Sequence, residues 1–331
     1  MNTFGENIRM TIFGESHGAA VGAVLDGLPA GEIISLDKVR EQMARRAPGS
    51  TELGTPRKET DEPYFMSGVL NGFSTGAPIC AMVRNEDANS KVYSPEVLRP
   101  SHADYVAKVK FKGFSDYRGG GPFSGRLTAA IVLAGSICRQ SLERRRVTIS
   151  SRIVRVGQAV GEDLDFDMKK EILDARAAGD SVGAVIECIA EGVPVGTGGL
   201  LFGGLESRLG LLLFAIPGVK GVEFGSGFAL SAMRGSEAND PIRVEGGRVV
   251  MGGNHAGGIN GGLANGMPIV ARIALRPTPS IAREQQSVDL DSMENRTIRV
   301  TGRHDPCLAP RAQPVAEAAM AFCILDAMLG E

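Results

Sequence analysis

Side chains capable of chemistry fall in a handful of short stretches. Arg276-Pro277-Thr278-Pro279-Ser280 sets a cation and two hydroxyls on a segment stiffened by two prolines, a group suited to holding a phosphate. Residues 252–266, just upstream, are almost half glycine, with pairs at Gly252-Gly253, Gly257-Gly258 and Gly261-Gly262. Without Cβ atoms such a run can approach a ligand closely, which predicts a cradle. A glycine-rich hairpin leading into a proline-stopped edge strand is the structural alternative. A second glycine-rich loop, residues 116–128, carries Ser124 and Arg126 after Gly119-Gly120-Gly121 and opens into a helix predicted to run to about residue 146. Backbone N–H groups at such a helix start suit an anion, and Arg126 in the first turn adds charge-assisted hydrogen bonds. Near the C-terminus, Gly302-Arg303-His304-Asp305 packs a cation, an imidazole and a carboxylate into one turn, which marks a candidate site.

Ser16 and His17 lie in Gly14-Glu15-Ser16-His17-Gly18, between strands predicted at residues 8–13 and 21–25. The Gly-x-Ser-x-Gly spacing matches the nucleophile elbow that would make Ser16 an acyl-transfer nucleophile. That elbow, however, needs a helix after the serine and a histidine late in the chain. A solvated or capping loop histidine is the plain reading of His17. His102 follows Arg99-Pro100-Ser101, and Ser101 with Asp104 reads as a capping box. This places His102 at the first helical position, where the positive end of the dipole favours a neutral ring. Arg45 and Arg46 close a helix predicted over residues 36–46 and capped by Ser35, and the helix dipole alone accounts for cations there. Arg57 and Lys58 follow in the polar loop 50–61, which reads either as a lid over an anion or as a solvated loop.

These stretches need a frame. Alternating or apolar runs predict strands at residues 79–83, 148–156, 182–190 and 267–275, and helices at 166–178, 206–214 and 315–329. The helix from residue 126 is apolar on nearly every side through residues 129–134, so it should be buried between layers. No repeat of 20 to 50 residues and no low-complexity segment interrupts the chain. No linker divides its 331 residues, so a single domain is expected.

Composition narrows the function classes. With 43% hydrophobic and 22% charged residues the chain reads as globular, and its formal net charge of −2 argues against a general nucleic-acid or membrane-surface binder. Any anion must therefore be held locally. Five widely spaced cysteines, an odd number without a C-x-x-C pair, suggest neither a disulfide framework nor a metal site. No secretory leader and no membrane-length apolar run is seen, so a cytoplasmic protein is expected.

Taken in order, Gly14-Glu15-Ser16-His17-Gly18, Arg45-Arg46, Arg99-Pro100-Ser101-His102-Ala103-Asp104, Asp116-Tyr117-Arg118-Gly119-Gly120-Gly121, Val219-Lys220-Gly221-Val222-Glu223, Asn254-His255-Ala256-Gly257-Gly258-Ile259, Pro277-Thr278 and Gly302-Arg303-His304-Asp305-Pro306-Cys307 resemble the signatures of the chorismate synthase family. Each is weak alone; together, over nearly the full length, they are specific. The resemblance implies an α+β fold, a β-α-β sandwich of two antiparallel sheets around a buried helical layer, assembled as a homotetramer. It also implies conversion of 5-enolpyruvylshikimate 3-phosphate to chorismate and phosphate, a redox-neutral anti-1,4-elimination that needs reduced FMN. No added flavin-reductase segment is seen, so an external flavin reductase is expected to supply that cofactor.

By the same resemblance His17 protonates the departing phosphate, and His102 protonates or stabilises the reduced flavin, both suited to imidazole near neutral pH. Ser16 and Asp305 join the catalytic set, Asp305 as a proton relay. Arg45, Arg46, Arg57, Arg99, Arg126 and Arg303 bind substrate phosphate and carboxylates, where bidentate geometry favours arginine. Ser124, Gly261, Arg276, Pro277, Thr278, Pro279, Ser280 and Arg303 hold FMN, and no metal is implied. The chain departs from the family's usual pattern at several positions. Pro122 and Phe123 replace a cation and a hydroxyl, Leu127 a carboxylate, Glu52 and Ala47 stand at common arginine positions, and Arg276 replaces lysine. A flavin- or phosphate-binding homologue without turnover, and more distantly a serine hydrolase using Ser16, are the alternatives.

Overall fold

A computed structural model describes residues 2–49, 53–55, 59–86, 90, 93–300, 302 and 304–330. Two five-stranded sheets, antiparallel throughout, form its outer layers. The first runs in the order Thr3–Phe4, Arg9–Gly14, Ala20–Asp26, Ile79–Arg84 and Tyr64–Phe65. The second runs Val219–Phe224, Ile269–Leu275, Ala184–Glu191, Thr148–Val156 and Ala159–Val160. Strict alternation in Ile269–Leu275, with Ile269, Ala271, Ile273 and Leu275 buried, turns one face of the second sheet inward. The fold is thus the expected β-α-β sandwich.

The middle layer is built around two long helices. Thr128–Arg144 lies on strands Ala20–Asp26 and Ile79–Arg84, Ala309–Met328 lies on Thr148–Val156 and Ala184–Glu191, and the two helices run along each other. Both are buried over almost their whole length, which is why their apolar residues do not sort to one face. The closing helix begins at Ala309, ahead of the expected residue 315. Pro310 sits in its first turn, where the missing N–H would have no partner, and Pro314 is carried inside under cover of the core. Helix Leu36–Arg46 follows its local signals closely, with Ser35 Oγ accepting from Lys38 N at 3.3 Å and Pro48 just beyond its end.

The glycine run at 252–266 forms a hairpin, not a cradle on the main cavity. Strands Ile259–Asn260 and Leu263–Ala264 are joined through Gly261 (φ 62°) and Gly262 (φ 90°), the left-handed pair a two-residue turn demands. At Gly257 a Cβ would stand 2.3 Å from Gly225 N, so glycine there serves chain-to-chain packing. The five cysteines are free thiols. Among the described residues no helix is long and apolar enough to cross a membrane.

Where the central helices meet, a Cβ on Gly135 would lie 2.4 Å from both Cβ and O of Ala318. In an exposed helix Gly→Ala is favourable by about 1 kcal/mol; here overpacking reverses the sign. Gly135→Ala is expected to destabilise the protein by about 1–3 kcal/mol in urea unfolding, and equal or greater stability would show that the helices are not this close.

Candidate active site

Both central helices begin at one cavity of about 520 Å³, so the positive ends of two helix dipoles converge on it. Thr128 starts one helix; Leu308, Arg311, Ala312 and Val315 come from the first turns of the other. The remaining walls come from strand ends and turns. Ser16 and His17 follow strand Arg9–Gly14, Arg46 ends helix Leu36–Arg46, Gly119 and Ser124 to Arg126 precede the first central helix, and Thr278 and Ser280 follow strand Ile269–Leu275. His304 and Asp305 close the ring. Arg126 lies in a short 3-10 turn, Gly125–Leu127, ahead of the helix instead of inside its first turn.

Among the described residues four guanidiniums line the cavity, those of Arg46, Arg99, Arg126 and Arg311, and each is paired with a carboxylate. Asp61 Oδ2 accepts from Arg46 Nη1 at 2.5 Å, and its Oδ1 accepts from Arg126 Nη1. Burial raises the pKa of Asp61, but Arg46 and Arg126 outweigh it and hold the carboxyl below its ordinary value. Burial, with Arg311 and Arg126 nearby, pulls Arg46 down to about 10 against the attraction of Asp61, so it stays charged at neutral pH. Arg99 makes a bidentate pair with Asp104 (2.9 and 2.7 Å) and stacks 5.0 Å from the centre of the Tyr93 ring. Arg311 Nη1 donates to Asp305 Oδ2 at 2.6 Å, while Thr55 N donates to Asp305 Oδ1 at 2.8 Å.

The imidazoles are fixed as firmly. His17 Nδ1 meets Ser90 Oγ at 2.9 Å, and Tyr93 stands edge-on to the ring at 5.2 Å. Its Nε2 edge lies against Gly119, where φ is 59° and a Cβ would come within 2.4 Å of that nitrogen, so only glycine fits. Ser16, buried and bonded through its N–H to Gly121 O at 3.1 Å, is followed by a strand, and the ring of His17 turns to Ser90. The helix that a nucleophile elbow needs is not there.

His102 departs from expectation. The helix is Asp104–Lys110 with Ala103 at its N-cap, and Ser101 takes φ 59°, because Asp104 turns back to Arg99 instead of forming a capping box. His102 therefore precedes the helix, with Nε2 2.7 Å from Ser280 Oγ. Burial, then Arg99, with lesser contributions from Arg276 and His304, lowers its pKa to about 4 against the pull of Asp104. The ring is neutral at pH 7, yet by tertiary charge and burial, not by a helix end.

The structure thus gathers Ser16, His17, Arg46, Arg99, His102, Ser124, Arg126, Thr278, Ser280 and Asp305 around one space. Arg45 is turned away, gripping Glu317 at 2.6 and 3.0 Å beside Arg139. Gly261 sits at its hairpin turn, and Arg276, Pro277 and Pro279 support the wall without lining it, Arg276 acting on His102 through its charge. Arg57, Arg303, Glu52 and Lys58 lie outside the described residues. Sequence reading missed Arg311, Asp61, Tyr93, Ser90 and Thr128. A cation six residues after Asp305 and a lone Asp ending the polar loop were the available signals. Among the described residues no group of three or more His, Cys, Asp or Glu could hold a metal ion.

Fold and cavity together define an α+β sandwich protein with an arginine-rich cavity at one end of its central helices. The chorismate synthase family model matches residues 8–329. The chain is 46% identical to a chorismate synthase from Thermococcus gammatolerans, covering 98% of this chain and 97% of that one. It is 44% identical to one from Korarchaeum cryptofilum, covering 98% and 96%. A crystal structure of chorismate synthase superposes with a TM-score of 0.76 at 26% identity, over 99% of this chain and 93% of the other. The chain belongs to the chorismate synthase family.

A histidine whose native pKa is depressed from 6.5 to about 4 binds a proton when unfolded that it does not bind when folded. Its contribution to stability is fully present above the unfolded value and is lost as pH falls through that window. His102→Gln is expected to lose less stability than wild type between pH 7 and 4.5, by on the order of 1–3 kcal/mol. Identical losses in urea titrations would refute the depressed value.

Proposed function

We propose that the protein converts 5-enolpyruvylshikimate 3-phosphate to chorismate and phosphate, the last step of the shikimate pathway feeding aromatic amino acid biosynthesis, with reduced FMN as cofactor. The observation that carries this reading is the cavity itself, in which, among the described residues, four arginines face one lining carboxylate, Asp305. Such a surplus suits a ligand bearing a phosphate and carboxylates.

The residues present fit FMN as well. Among the described residues Thr278 Oγ1 is buried on the cavity wall without a hydrogen-bond partner, and the Ser280 hydroxyl stands beside His102. Thr278, Ser280 and Ser124 would hold the cofactor, and when bound and reduced it would supply electron density to the allylic system from which phosphate departs. Elimination removes a proton and the phosphate from opposite faces and leaves a new double bond, with no net redox change.

The side chains divide that work. Arg46, Arg126 and Arg311 bind and orient the anionic groups, and they stabilise charge as it builds on the leaving phosphate. His17, which lines the cavity with Nδ1 meeting Ser90 Oγ, is by the family resemblance the general acid for the departing phosphate. His102, neutral in this setting, acts as a hydrogen-bonding group whose proton affinity rises when an anion enters beside it. Asp305, paired with Arg311 on the cavity wall, is by the family resemblance the proton relay. Homotetramer assembly and supply of reduced FMN by an external flavin reductase complete the proposal.

His17→Ala is expected to slow chorismate formation by roughly 10²–10⁴-fold in anaerobic assays with photoreduced FMN. A wild-type rate in this variant removes its role as acid. Oxidised FMN bound by the wild-type protein without any phosphate release would instead favour a homologue that binds but does not turn over.

A further inference from the structure

Two of the cavity's guanidiniums hang on one carboxylate that does not itself line the cavity. The side chain of Asp61 is 0% exposed, and its backbone takes φ 50°, a left-handed conformation uncommon outside glycine. That turn sets its two oxygens between Arg46 Nη1 and Arg126 Nη1. The two arginines have further anchors. Arg46 donates from Nε to Thr128 Oγ1 at 3.2 Å and from Nη2 to Gly125 O at 3.2 Å. Arg126 donates from Nε to Asn85 Oδ1 at 2.8 Å and from Nη2 to Arg84 O at 3.0 Å, with Glu59 3.6 Å away. A guanidinium has five N–H donors, so each keeps two beyond these bonds, at residues that face the cavity.

Left to themselves, two buried guanidiniums this close repel: Arg126 and Arg311 both push the pKa of Arg46 down. We propose that Asp61 is a positioning residue that joins Arg46 and Arg126 into a single preassembled fork for the ligand's anionic group. This rests on the reading of the cavity as the site of a phosphorylated substrate. Asp61 never touches the ligand; it acts by holding the two donors at a fixed separation against their repulsion.

The sign of one experiment separates this role from simple electrostatics. Asp61→Asn removes one negative charge beside the cavity, and Coulomb attraction alone would then tighten binding of an anion. Loss of positioning weakens it instead. Calorimetric titration of the full-length protein with inorganic phosphate is expected to show Kd raised about tenfold or more. The KM for the phosphorylated substrate should rise in parallel, with a smaller change in kcat. Unchanged or tighter phosphate binding overturns the proposal. Asp61→Glu keeps the charge but displaces it by one methylene, and should also weaken phosphate binding. If Asp61→Asn does not fold, as judged by circular dichroism, this second variant decides, and a wild-type Kd in it is equally fatal. Wild-type protein that binds phosphate yet forms no chorismate would sink the assigned reaction while leaving the phosphate titrations to decide the role of Asp61. Wild-type protein that binds no phosphate overturns both.

Discussion

The close approach of the Thr128–Arg144 and Ala309–Met328 helices at Gly135 and Ala318 governs much of what surrounds it. Each helix is backed by a sheet on its other side, so any widening of their separation has to be passed on to both outer layers. Small side chains let the two axes come together, and because both helices start at the same end of the molecule, their N-termini are brought to a common point. The cavity forms there. Loops from both sheets converge on it because the strands that carry them, Arg9–Gly14 and Ile269–Leu275, end at the same level.

A protein of formal net charge −2 concentrates cations at this point without paying for unpaired buried charge. Asp61, Asp104 and Asp305 pair with these four guanidiniums, satisfying part of each fork and fixing its direction. Donors held this way need no reorganisation when a ligand arrives, which is the condition under which electrostatic stabilisation is largest. The neutral state of His102 follows from the same concentration of charge, since Arg99, Arg276 and its own burial all oppose a proton on the ring.

Neighbours in the chain can have opposite fates here. Arg45 and Arg46 differ by one helical step, about 100° around the axis. That rotation sends Arg46 to Asp61 and the cavity and Arg45 to the buried carboxylate of Glu317, which also receives Arg139 and Ser151. A pair of arginines at a helix end is visible in the sequence; which of them faces the site is not.

What the sequence determined by itself is what short-range physics controls. The strand at Thr148–Val156, the helix at Leu36–Arg46 with its Ser35 cap, the helix at Phe166–Ala177 and the burial of the residue 129–134 run all follow from periodicity and capping, and the ordered signatures carried the family. The tertiary structure alone decided the rest. Arg99 recruited Asp104 and so kept His102 out of the helix, the core carried Pro314 inside one, and the glycine run closed into a hairpin against Gly225. Asp61 and Arg311 found partners far along the chain, in Arg126 and in the backbone carbonyl of Arg46. Contacts between residues far apart in sequence depend on where whole layers come to rest, and no local pattern of residue types encodes that position.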